Sequence, residues 1–84
     1  MSRELNKEIG EKVRKARVLA NLTLKEVADK TSIGYVTISR IEHGTRAVNA
    51  AELILIANVT KQPISFFYEL DEVIEYFDPR NFKY

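Results

Sequence analysis

A chain of 84 residues, 45% hydrophobic and 30% charged, is sized for one small domain with a thin core. It has no cysteine, no apolar run near the roughly 20 residues that span a bilayer, and a charged start, MSRELNKEIG, without a signal-peptide core. Disulfide and thiol chemistry are excluded, and a soluble cytoplasmic protein is expected.

The net charge is only +1, but it is unevenly spread. Residues 1–46 carry 10 Lys/Arg against 6 Asp/Glu, and residues 47–84 carry 3 against 6. A basic front and an acidic back would orient the molecule on a polyanion. Simple solvation of surface helices would account for the same lysines and arginines.

The first predicted element is a helix over residues 3–20, with Leu5, Ile9, Val13 and Ala16 as its buried stripe. Gly10 lies within it and weakens it slightly. A second helix over 24–31 has a clear start signal: Thr23 caps the first turn and Glu26 reaches back to the Thr23 N–H. Val27 and Ala28 face inward. In the turn Thr31-Ser32-Ile33-Gly34, Ile33 plugs the space between two helices. A third helix over 35–43 follows, with Gly34 at its N-cap, Ile38 and Ile41 inward, and Gly44 suited to a left-handed end. Its outward residues are Tyr35, Val36, Thr37, Ser39, Arg40 and His43. Two short helices around such a turn form a helix-turn-helix layout, in which the second helix is normally offered to the DNA major groove.

A loop over 44–48 leads to Asn49, which should cap a fourth helix with Glu52 completing the box. This helix runs to about Thr60. Leu53, Ile56 and Ala57 face the core, while Leu55 and Val59 form a second apolar face, with Ile54 near its boundary, that something must cover. Pro63 suits the opening turn of a fifth helix. Beyond it, Leu70, Val73, Ile74 and Phe77 recur at helical spacing until Asp78-Pro79 stops the pattern. Seven of the eight Phe and Tyr residues lie between Phe66 and Tyr84. The stripe packs on its own domain or on a second chain, and the pattern suits both. The organisation is a domain over 1–69 with a helical extension over 70–84.

The run from Ile9 to Glu69 resembles the Xre family of helix-turn-helix regulators, which includes the lambdoid phage repressors and Cro. The resemblance rests on Ile9-Gly10 with Val13 and Arg17, on Leu22-Thr23 with Glu26-Val27-Ala28, and on Ile38 through Arg46. Leu53 with Ile56-Ala57, and Pro63 through Glu69, extend it. It implies an all-α fold: a compact five-helix, lambda-repressor-like domain, here with a short C-terminal amphipathic helix. It also implies a sequence-specific, double-stranded DNA-binding regulator of transcription, commonly dimeric through helices four and five or a C-terminal extension. A homodimer reading a pseudo-palindromic operator is therefore expected.

Carried over residue by residue, the resemblance places Tyr35, Val36 and Arg40 where base edges are read. Arginine can pair bidentately with guanine, and Val36 could touch a thymine methyl. Thr37 and Ser39 are positioned for base or phosphate, and Lys25, Thr45, Arg46 and Asn49 for phosphate. The competing reading of Tyr35 is a core aromatic, and that of Arg40 a surface ion pair with Glu26. Arg17 and Glu42 should form a partly buried ion pair between helices one and three. This chain departs from the family's pattern at Leu24, where relatives often carry a phosphate-contacting glutamine, and at Thr60 and Gln62, which replace apolar residues. Leu55, Val59, Phe66, Leu70, Val73, Ile74 and Phe77 are the candidates for a dimer interface or for tail packing.

No cofactor or metal is expected. His43 is the only histidine, and a metal site needs more ligands. A nucleophile partner, a Gly-rich phosphate loop and a carboxylate dyad are all missing from the pattern, so an enzyme is not expected. No effector-sensing module is expected, so control would come through concentration, dimerisation or a partner protein. The rival reading is a protein-interaction module, such as an antitoxin, acting through the aromatic C-terminal segment.

Overall fold

The computed structural model describes residues 3–69. Four α-helices follow in order, α1 (Arg3–Leu19), α2 (Leu24–Thr31), α3 (Tyr35–Glu42) and α4 (Ala50–Thr60), then a 3-10 helix (Ile64–Tyr68). No strand occurs among the described residues. The expected extension with Leu70, Val73, Ile74 and Phe77 lies outside them.

The helices begin where side chains replace the missing backbone acceptors. Thr23 accepts from the Glu26 N–H at 3.1 Å while the Glu26 carboxylate accepts from the Thr23 N–H at 2.9 Å. Asn49 and Glu52 repeat the device at the start of α4, at 2.8 and 3.0 Å. Three of the four α-helices, α1, α3 and α4, end alike: a residue in the left-handed region is followed by a backbone bond spanning five residues. Asn21, Gly44 and Lys61 hold those positions, with φ of 58°, 76° and 63°. The spanning bonds run from Leu22 N to Arg17 O, Thr45 N to Arg40 O and Gln62 N to Ala57 O.

The core is one cluster: Ile9, Val13 and Ala16 from α1, Val27 and Ala28 from α2, Ile38 and Ile41 from α3, Leu53, Ile56 and Ala57 from α4, and Phe67. Leu5, Leu22, Leu24, Ile33, Val48 and Phe66 pack around it. α1 lies against α3, and α2 against both α3 and α4. Gly10 permits the first of these crossings. A methyl group there would overlap the Ile41 carbonyl oxygen and stand 3.0 Å from that of Glu42. Gly44 is constrained twice, by its positive φ and by Lys7, whose Cα would lie 2.7 Å from an added Cβ.

Two buried threonines satisfy their hydroxyls within their own helix. Thr60 donates to Ile56 O at 2.7 Å, which explains how a polar residue occupies a core position. Thr31 donates to Val27 O at 2.7 Å and accepts from the Ile33 N–H at 3.2 Å, tying the turn to α2.

The fifth helix expected from Pro63 is corrected to the 3-10 helix, so the described domain has four α-helices. Pro63 is not inside the element but caps it, with extended ψ of 152°, and the Phe66 N–H returns to Pro63 O at 3.0 Å. A five-residue segment containing β-branched and aromatic residues is too short to nucleate an α-helix and adopts the tighter spacing instead. It seats Phe67 fully in the core, with Phe66 edge-on to it at 5.3 Å.

Candidate nucleic-acid interface

The sequence of α3 divides it into two faces. Ile38 and Ile41 are at most 1% exposed and fasten it to the core. Tyr35 and Val36 are more than half exposed, at 53% and 58%, so Tyr35 is not a core aromatic. Arg40, one turn on from Val36, is exposed and makes no ion pair among the described residues; its carbonyl accepts from Thr45. Thr37 and Ser39 are half-buried at the edges of this face. Exposed apolar, aromatic and cationic groups therefore share a surface whose backbone is held rigid from behind.

Glu42 holds that orientation from the buried side. Its carboxylate accepts from Arg17 Nε at 2.7 Å and Nη2 at 3.2 Å, while Arg17 Nη1 donates to Leu22 O at 3.0 Å. The two side chains are 15% and 5% exposed. Three donors of Arg17 thus clamp α1, the loop before α2 and α3 together, and this forked geometry is specific to arginine.

The residues assigned to phosphate differ in how free they are. Lys25 is exposed, with no partner among the described residues. Thr45 donates its hydroxyl to Arg40 O at 3.2 Å, and Asn49 spends its carboxamide oxygen on the α4 cap. Arg46 donates to Glu52 Oε1 at 2.9 Å and to Ala47 O at 3.2 Å. The Arg46 guanidinium holds the Glu52 carboxyl below the usual carboxylate range, with help from the Asn49 N–H, and Glu52 in turn raises Arg46. A phosphate at Arg46 must share it with Glu52. Leu24 is half-buried and packs on the core, which leaves no polar side chain at that place.

Elsewhere on the surface, Leu55 is 43% and Ile54 53% exposed, so Ile54 belongs to the outer face of α4 rather than to its boundary. Val59 is half-buried. Phe66 is half-buried, with the Lys12 ammonium 5.3 Å above its ring. Ile64 and Tyr68 add further exposed apolar surface, as do Val18 and Leu19 at the end of α1. Sequence patterning gave no sign of the Lys12–Phe66 contact or the Arg46–Glu52 pair, because both join residues without a shared periodicity.

Among the described residues, no group of three or more His, Cys, Asp or Glu could hold a metal, and no helix is long and apolar enough to cross a membrane.

A family model described as helix-turn-helix matches residues 13–67, which include all of α2, the turn and α3. The chain is also similar to two curated proteins named "Uncharacterized HTH-type transcriptional regulator", one from Sinorhizobium medicae (strain WSM419) and one from Rhizobium meliloti (strain 1021). Each is 28% identical over 61 residues, covering 73% of this chain and 44% of the relative. The chain thus spans less than half the length of these relatives. On the matched span and the geometry within it, the chain belongs to the Xre-like helix-turn-helix family.

Proposed function

We propose that this chain is a sequence-specific DNA-binding regulator of transcription, working as a homodimeric repressor or controller. Each subunit lays α3 in the major groove of one half-site, and the half-sites lie about 34 Å apart on a pseudo-palindrome. The observation that carries this reading is the exposed face formed by Tyr35, Val36 and Arg40 on a helix fixed by buried Ile38, Ile41 and Glu42. Family membership and the names of the relatives agree with it. Arg40 reads a guanine edge, Tyr35 and Val36 contact base edges and a thymine methyl, and Lys25 and Arg46 grip the backbone.

Ile54, Leu55, Ile64 and Tyr68 supply the apolar surface that a second subunit would cover. Replacing Arg40 by Ala tests the recognition role. The variant should lose about tenfold or more on its preferred duplex and little on a random one. Arg46→Ala should weaken both duplexes alike. Equal losses on the two duplexes from both changes would contradict the assigned roles.

A further inference from the structure

Gly10, Arg14 and Arg17 follow one another at i, i+4 and i+7 on α1 and so share a face. Gly10 brings that face against the last carbonyls of α3. Arg14 and Arg17 then line one cleft with Leu24 from α2 and with Glu42 and His43 from the end of α3. His43 is exposed and continues the row of Val36 and Arg40 at i, i+4 and i+7, so the cleft opens beside the proposed recognition face.

The charges within the cleft are not equivalent. Arg17 and Glu42 neutralise each other through two hydrogen bonds, and a third binds Arg17 to Leu22 O. Arg14 is exposed and has no partner among the described residues. The ring of His43 is anchored by its Nδ1, which lies 2.7 Å from Ser39 O and must donate because a carbonyl only accepts. Nε2 remains for a ligand. It donates only when the ring is protonated. Leu24 contributes no polar atom.

The geometry points to a backbone-phosphate subsite formed by Arg14 and His43 at the junction of α1 and α3, resting on the DNA-binding reading above. It supplies a grip that Thr45, Arg46 and Asn49, occupied by contacts within the chain, provide less readily. The charged groups that line the cleft with His43 are Arg14 and Arg17 from α1 and Glu42 from α3, and Lys7 of α1 packs against the neighbouring Gly44. With Glu42 neutralised by Arg17, Arg14 is the remaining free charge in the cleft. Donation from Nε2 to phosphate requires an added proton on the ring, so this half of the subsite strengthens on acidification.

The test is fluorescence-anisotropy titration of a selected duplex and a random-sequence duplex across salt and pH, with Arg14→Ala, Arg14→Lys, His43→Gln and Arg40→Ala. Arg14→Ala should bind about fivefold more weakly to both duplexes, with a log–log salt slope shallower by about 1. Arg14→Lys should recover most of the affinity. His43→Gln should flatten the pH dependence. Parental affinity, salt slope and pH response in the Arg14→Ala and His43→Gln variants, beside a weakened Arg40→Ala, would overturn the subsite alone. Failure of the parent to bind either duplex would overturn the DNA-binding reading and the subsite with it.

Discussion

Gly10 and Glu42 show how far single residues can mislead or inform. Read along the chain, Gly10 is a weak point in a helix, and exchange for alanine should strengthen α1 by up to about 1 kcal/mol. In three dimensions the added methyl would overlap the Ile41 carbonyl oxygen. Gly10→Ala should therefore destabilise the domain by about 1–3 kcal/mol in chemical denaturation, and a gain in stability would contradict the close crossing. The partner of Glu42 follows from the family resemblance and not from helical periodicity. Its carboxylate is buried against Arg17, so Glu42→Gln strands a guanidinium and should cost about 3–5 kcal/mol. A variant as stable as the parent would mean that the pair is energetically idle. Thr60 was legible as a departure but not as a solution, because its hydroxyl is satisfied by a carbonyl four residues earlier rather than by a distant partner.

At the scale of elements, starts were more legible than ends. Thr23 with Glu26 and Asn49 with Glu52 are local signatures, and both form complete capping boxes. Of the left-handed termini only the one at Gly44 could be read, since Asn21, Ser32 and Lys61 do not announce that conformation as glycine does. Lys61→Gly should accordingly raise stability by about 0.5–1 kcal/mol, seen as a higher denaturation midpoint. The 3-10 helix escaped prediction because the pattern Pro63 through Glu69 is compatible with either helical spacing. The caps also set the acid response. Hydrogen bonds from Thr23 hold the Glu26 carboxyl below its ordinary range, and Arg46 chiefly does so for Glu52. A carboxyl with a depressed folded pKa contributes stability above its unfolded value, about 4.3, and loses it as pH falls through the folded one. Thermal stability should thus drop between about pH 5 and pH 3, and Glu52→Gln should lose less over that window. An equal acid loss in the variant would contradict the role of this carboxylate.

At the scale of the whole molecule, a rigid helical face with exposed Tyr35, Val36 and Arg40 is presented by one side of the fold, and apolar Ile54 and Leu55 by the outer face of α4. Sequence alone reached the first because α3 has a clean division between inward and outward positions. It reached the second less surely, since α4 is apolar nearly all round and its periodicity does not say which stripe is left over. If that stripe joins two subunits, Leu55→Glu should convert a dimer to a helical monomer in sedimentation and weaken operator binding together. The most direct measurement of the central claim is selection of random duplex DNA by the purified protein at about 0.15 M salt, where nonspecific attraction is largely screened. The account predicts a two-fold symmetric consensus with half-site centres about one helical turn apart. A pool that stays random after repeated rounds would contradict it.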